Sequence, residues 1–334
     1  MTKLEFSLLF SLCFGAGAAP ALADEGSCGA VSIAEMNWAS AGVAAWVDKI
    51  ILEEGYGCDV TLVTGDTMPT FASMNEKGEP DIAPELWANA VKLALDAAVA
   101  EDRMVISANI LTDGGVEGWW IPQYLADAHP EIRTVEDALK HPELFPDPED
   151  PSKGALFNCP SGWNCQVSTE NLYRAYGAEA KGFELVDTGS AAGLDGSIAN
   201  AYERKQGWFG YYWAPTAILG KYPMARLEAG VPNDKAAWDA CTSQPDCPDP
   251  KPNAYPTSDV FTVVTKAFSE KNAVAMDYLK ARSWSNDLVG KFLAWQTDNQ
   301  GTNEDTAYHF LETYPDVWKA WVSPEVAAKV EATL

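Results

Sequence analysis

Asp81-Ile82-Ala83-Pro84-Glu85-Leu86-Trp87 runs directly into Ala88–Ala100, ANAVKLALDAAVA. The segment Asp81–Pro84 reads as a strand ended by a turn, and the run after it carries alanine and leucine at helical spacing. The same unit precedes it twice. Ala30–Ile33 (AVSI) leads through Glu35-Met36-Asn37-Trp38 into an apolar periodic run over Ala41–Leu52, and Asp59–Val63 (DVTLV) leads into a short helix over Thr67–Met74. Strands alternating with helices predict an α/β lobe with a mainly parallel sheet, and ligands bind such sheets past the carboxyl ends of the strands. Trp38 and Trp87 both fall just past a strand end, where a ligand wall belongs.

Further along, Val105–Leu111 and Trp119–Ile121 read as strands on either side of Thr112-Asp113-Gly114-Gly115, and a helix follows from Pro122 through Tyr124 to Ala128. His141–Gly154 (HPELFPDPEDPSKG) is rich in proline and acid and reads as an exposed loop. A second α/β set starts at Ala155-Leu156-Phe157. It continues with a helix over Thr169–Tyr176, a strand over Glu184–Val186, a helix over Gly196–Lys205 and an aromatic strand over Trp208–Trp213. Asp234–Tyr255 is irregular, Asp259–Thr265 (DVFTVVT) is a strong strand, and the tail is helical. The expected architecture is a two-lobed α/β fold with a hinge. Residues 24–122 plus 228–334 form lobe I, and 123–227 form an inserted lobe II.

The chain has 334 residues, with Lys+Arg 23 against Asp+Glu 48. That balance argues against nucleic acid or an anionic membrane surface as partner and suits a protein kept dispersed by self-repulsion. Lys3, the apolar run Phe6–Gly15 and the small-x-small triplet Ala21-Leu22-Ala23 make residues 1–23 a signal peptide, with the mature chain starting at Asp24. A periplasmic or secreted monomer is expected. Of the 7 cysteines, Cys13 falls in the leader. The rest form an even set in an oxidising compartment, which suggests disulfides. Closeness in sequence favours Cys28–Cys58, Cys159–Cys165 and Cys241–Cys247. Metal binding by these cysteines is a poor rival, since His129, His141 and His309 lie far from them.

Thirteen tryptophans stand in this chain. Trp46, Trp284, Trp295, Trp318 and Trp321 fall within helical patterns and suit a core. Trp87, Trp119, Trp120, Trp163, Trp208 and Trp213 sit beside glycine or proline or at strand ends, which suits a cleft. Trp163 lies inside Asn158–Cys165, NCPSGWNC, a turn between two cysteines. A quaternary ammonium offers no hydrogen bond, and aromatic faces answer its diffuse charge at roughly 0.5–2 kcal/mol per ring. A box of tryptophans therefore predicts a methylated ammonium ligand. Enzyme signatures are absent: no G-x-S-x-G elbow, no H-E-x-x-H and no phosphate-cradling G-x-x-x-x-G-K. The rival from another class is a secreted carbohydrate hydrolase whose tryptophans stack on sugars, for which Glu85 and Glu117 are the only acid pair to nominate. No cofactor is expected. Asp147, Glu149 and Asp150 offer oxygen ligands of the kind calcium takes, without EF-hand spacing, so a solvated loop is the alternative to a structural ion.

Across the mature chain the sequence resembles the substrate-binding proteins of ABC importers for glycine betaine and related osmolytes. The residues that carry the likeness are Trp87 after DIAPEL, Trp163 in SGWNC and Trp213 in YYWAP, at spacings similar to the family's. The resemblance implies that these three form the aromatic box. It also implies that the backbone N–H groups of Asn164 and Cys165 face a ligand carboxylate, and that a membrane permease is the partner. The chain departs from the pattern at Val91, where some betaine binders carry a histidine one turn after the first tryptophan. Glu117-Gly118-Trp119-Trp120 adds an acid beside a fourth aromatic wall, which would repel betaine's carboxylate and favour an N-oxide or a hydroxyl. SIAEMNWASAG and GGVEGWW look like the trimethylamine N-oxide-binding branch. The expected ligand is thus trimethylamine N-oxide, then choline or glycine betaine.

Overall fold

The computed structural model describes residues 28–334, so the leader expected over 1–23 lies outside the described residues. Ten strands form two sheets. They are β1 (Ala30–Met36), β2 (Asp59–Gly65), β3 (Ile82–Trp87), β4 (Met104–Asn109), β5 (Val116–Pro122), β6 (Gly154–Phe157), β7 (Phe183–Val186), β8 (Gly210–Ala214), β9 (Met224–Arg226) and β10 (Val260–Thr265). The first sheet has the order β2-β1-β3-β10-β4 and the second β7-β6-β8-β5-β9. In each, four strands run in one direction and one strand, β10 in the first sheet and β5 in the second, runs antiparallel between two of them. The two-lobed α/β reading therefore holds.

The chain crosses between the sheets after β4 and returns before β10. At the crossing Gly115 N–H donates to Ser258 carbonyl at 2.8 Å and Ser258 N–H donates back at 2.9 Å. Sheet membership differs from the expected boundaries. β5, expected in lobe I up to residue 122, pairs with β8 and β9 of the second sheet, because that position satisfies both edges of its backbone. The segment after 228 also stays with the second sheet. Tyr176 hydroxyl donates to Ala229 carbonyl at 2.6 Å, and Asn171 Nδ2 donates to Thr242 and Gln244 carbonyls, each at 2.9 Å.

Local signals set the elements more sharply than the periodicity did. The helix expected over Thr169–Tyr176 begins earlier, at Asn164, because Trp163 adopts an extended N-cap conformation that opens it there. The tail is helical as expected: a helix over Ala273–Ala281 follows a short one over Lys266–Lys271, with a break at Asn272. The disulfides Cys28–Cys58, Cys159–Cys165 and Cys241–Cys247 are those expected, with Cα separations of 4.9, 5.7 and 4.8 Å. No helix among the described residues is long and apolar enough to cross a membrane.

Beneath the first sheet lies a buried ion pair. Arg282 Nε stands 2.8 Å from Asp48 Oδ1, both side chains being fully buried. Arg282 Nη2 also donates to Asp48 Oδ2 at 3.0 Å, Thr262 Oγ1 at 2.8 Å and Pro84 carbonyl at 3.2 Å, and Tyr278 hydroxyl donates to Asp48 at 2.5 Å. Burial raises the Asp48 pKa against the pull of Arg282 and Tyr278. Removing one partner strands the other without solvent. Arg282→Met is therefore expected to lower unfolding free energy by about 3–5 kcal/mol, read as a shift in the urea midpoint, and the pair Asp48→Leu with Arg282→Met to recover much of that loss.

Candidate functional site

Four tryptophans reach one chamber from four different local devices. Trp38 follows β1 in extended conformation and caps the helix Ala39–Ile50. Trp87 closes β3, whose six residues are all buried. Trp163 caps the helix Asn164–Ala175 at a turn clamped by Cys159–Cys165. Trp213 lies on β8, two residues after Tyr211, so strand periodicity turns both to one face. These five rings, with Thr67, Glu117, Asn164 and Cys165, line one narrow cleft between the sheets. The four tryptophans keep 5–7% exposure, which marks rings that border a void. Trp163 stands edge-on to both neighbours: its centroid is 5.4 Å from Trp38 at 69° and 4.9 Å from Trp213 at 80°.

The polar edges of three of these rings point outward. Trp163 Nε1 donates to Asn37 Oδ1 at 2.7 Å. Trp38 Nε1 and Trp87 Nε1 both donate to Glu85 Oε1, at 2.7 and 2.9 Å. Asn164 Nδ2 donates to Trp87 carbonyl at 2.8 Å, and Met68 N–H to Gly162 carbonyl at 3.4 Å, so the two lobes are bonded to each other around the chamber. Gly162 has φ +89°, and a Cβ there would meet Asp66 Oδ2 at 2.8 Å; the turn requires glycine on both counts.

Glu117 is the acid that faces the chamber. It is 3% exposed, Tyr211 hydroxyl donates to its Oε1 at 2.9 Å and Asn89 Nδ2 to its Oε2 at 3.3 Å. Burial pushes its pKa up to about 7, against the lowering effect of those hydrogen bonds. Glu85 is also raised by burial. Its side chain does not line the chamber, because Trp38, Trp87 and Ser40 engage it from behind the rings. The acid pair required of a hydrolase is thus not presented to one cavity.

Not every expected residue joins the chamber. Trp119 lies two residues beyond Glu117 on β5, a step of roughly 7 Å along the strand. That carries it past the chamber and against Tyr176 and Phe209, at centroid distances of 5.8 and 5.6 Å. Trp208 precedes β8, stacks on Phe157 at 5.4 Å and donates to Ser197 Oγ at 2.8 Å. Trp208 packs within the second lobe, and Trp119 lines a separate cavity of that lobe with Glu117, Tyr176 and Tyr255. Conversely, Tyr211, Thr67, Asn37 and Asn89 were not expected. The signal for Tyr211 was available, as a residue two before Trp213 on a strand shares its face.

The Asp147–Asp150 loop is organised from within. Asp147 Oδ1 accepts the N–H groups of Glu149 and Asp150, at 2.7 and 2.9 Å, and Asp150 Oδ1 accepts Ser152 N–H and Oγ. Among the described residues no group of three potential ligands is arranged to hold a metal.

Two α/β lobes bonded across an aromatic chamber have the fold of the two-lobed periplasmic binding proteins. Residues 29–313 match the family model described as the substrate binding domain of the ABC-type glycine betaine transport system, and the chain belongs to that family. Among solved structures it is similar to the glycine betaine/L-proline-binding protein ProX from Borrelia burgdorferi. That match has 19% identity and TM-score 0.70, covering 90% of this chain and 99% of the other. A choline-binding protein of an ABC transporter, in complex with choline, matches at 17% identity and TM-score 0.70, covering 92% and 98%. Lactococcal OpuAC, closed on glycine betaine, matches at 17% identity and TM-score 0.67, covering 88% and 99%. The family is a non-catalytic component of transport, which sets the hydrolase reading aside.

One glycine secures the Trp87 wall. A Cβ on Gly115 would come within 2.1 Å of Trp87 Cζ3, a packed ring with little room to yield. Gly115→Ala is therefore expected to displace that indole, changing the near-ultraviolet circular dichroism while the far-ultraviolet spectrum is retained. The stability cost is expected at about 1–3 kcal/mol by thermal denaturation.

Proposed function

We propose that the chamber takes the methylated nitrogen of trimethylamine N-oxide, with choline and then glycine betaine as the next candidates, for delivery from the periplasm to the membrane permease of an ABC importer. The supporting framework is aromatic. Four tryptophans and Tyr211 line the space, and no lysine or arginine is among its described lining residues. At roughly 0.5–2 kcal/mol per ring, three or four faces supply about 4–6 kcal/mol, before the methyl groups add their hydrophobic share. Association to about micromolar strength needs no salt bridge.

The observation that carries the choice of ligand is Glu117, a buried carboxyl at the chamber wall whose pKa stands at about 7. Protonated, it donates to the oxygen of an N-oxide; ionised, it accepts from a protonated N-oxide. Either way the complex holds one shared proton. Choline carries a fixed charge and a hydroxyl donor, so it is best met by the ionised carboxylate. Glycine betaine brings a second carboxylate, which tolerates Glu117 only in its protonated form. Its other anchor, by family resemblance, is the pair of backbone N–H groups at Asn164 and Cys165, at the start of a helix where such groups lack intrahelical acceptors. Val91 stands where a carboxylate-directed histidine would otherwise help.

These proton inventories give opposite pH dependences. A ligand that requires protonated Glu117 must recruit a proton once the free carboxyl has ionised, so trimethylamine N-oxide affinity is expected to fall as pH rises above about 7. Choline binding expels the proton instead, so its affinity is expected to rise through the same range. Calorimetric titration of both ligands at about pH 6 and about pH 8 reads the two slopes. Equal slopes for the two ligands, or no binding of either, would defeat this assignment. Glu117→Gln is expected to flatten both profiles.

A further inference from the structure

Glu85 is not in the chamber lining, and although the Arg282 charge acts on it, its hydrogen bonds go to the tryptophans and Ser40 and not to the Asp48–Arg282 pair. It is 0% exposed, and three donors converge on its Oε1: Trp38 Nε1 at 2.7 Å, Ser40 Oγ at 2.8 Å and Trp87 Nε1 at 2.9 Å. Its other oxygen, Oε2, has no hydrogen-bond partner. A carboxyl placed there for burial alone would satisfy both oxygens, since an unmet buried polar atom costs free energy. Here one oxygen is saturated by two indoles and a hydroxyl.

We infer, resting on the ligand reading above, that Glu85 is the positioning residue of the chamber, fixing the planes of Trp38 and Trp87 through one shared acceptor atom. The two rings come from different segments. Trp38 lies between β1 and the helix Ala39–Ile50, and Trp87 ends β3. Packing restrains an indole broadly, but its N–H direction sets the last torsion, so a common acceptor couples the tilt of one ring to the other. Ser40, two residues after Trp38, holds the carboxyl oxygen in place from the same helix. All four groups belong to the first lobe. These two walls are therefore set before the lobes close, and a ligand meets them without a cost of ordering.

The test compares two substitutions. Glu85→Leu keeps the volume and removes the acceptor. Glu85→Gln keeps one acceptor oxygen, which the three converging donors force toward the indoles. Affinity for trimethylamine N-oxide and choline is measured by calorimetry on each full chain, alongside the indole N–H resonances of Trp38 and Trp87 by nuclear magnetic resonance without ligand. Glu85→Leu is expected to weaken both ligands about tenfold or more. It is also expected to move both indole resonances together, with Glu85→Gln recovering most of each effect. A purely structural role would not be rescued by glutamine and would not single out these two resonances. Unchanged affinity in Glu85→Leu overturns the inference, as do indole resonances that stay in place. If the unaltered protein binds no methylated amine, the ligand reading fails, and the resonances alone decide whether Glu85 sets the two rings.

Discussion

A quaternary nitrogen offers no hydrogen bond, so the surface that touches its methyl groups must ask for none, and indole is a surface with one polar edge. The structure depends on disposing of that edge. Trp38, Trp87 and Trp163 each direct their N–H away from the chamber to an acceptor behind the ring, Glu85 for the first two and Asn37 for the third. Each ring then borders the void with carbon and π-density, while its donor is satisfied behind the ring, at a fully buried carboxyl for Trp38 and Trp87 and at the exposed Asn37 for Trp163. Aromatic content alone would not achieve this. Trp119 and Trp208 are as large and as buried, yet they pack elsewhere in the second lobe.

The acceptors behind and beside the rings are largely acids, and burial makes them costly. Glu85, Glu117 and Asp66 all have pKa values raised by desolvation, which means that each negative charge is disfavoured in the empty protein. A cation lodged among the rings would offset that cost without touching Glu85 or Asp66. The aromatic walls and the carboxyls thus act in series: the rings meet the methyl groups directly, and the acids set the potential in which the rings are polarised. The same carboxyls, with their Asn89, Tyr211 and Ser40 partners, resist the collapse of the chamber into an ordinary apolar core.

Much of this was legible from residue order, and the failures have physical causes. The alternation of strand and helix over the first hundred residues placed Trp38 and Trp87 at strand ends, and the Cys159–Cys165 turn singled out Trp163. What a linear pattern does not contain is the direction in which a side chain leaves a sheet relative to a partner lobe. Glycine beside Trp119 suggested openness. Gly118 instead lies beside the exposed Arg226 side chain, whose Cδ a Cβ there would approach to 2.9 Å, so it borders packed surface and not the chamber. Glu85 read as a cleft acid since nothing local reveals that Trp38, far away in sequence, donates to it. The assignment of β5 to the first lobe failed for the same reason, because pairing with β8 and β9 is decided by long-range ladder bonds.

The division of the walls between lobes would make closure and binding one event for a ligand of the proposed kind. Trp38 and Trp87 stand on the first lobe; Trp163, Trp213 and Tyr211 stand on the second. Trp163 completes its N–H bond only by reaching Asn37 across the gap, and Asn164 does the same toward Trp87 carbonyl. Separation of the lobes would hand both donors to water and would leave a bound cation with half its rings. Since the attraction of a cation to a ring grows when water is excluded, each cross-lobe bond strengthens the ring contacts, and the ligand in turn favours the arrangement in which those bonds exist. The short disulfide turn at Cys159–Cys165 suits this role, holding Trp163 at the head of its helix so that little disorder has to be lost when the second lobe arrives.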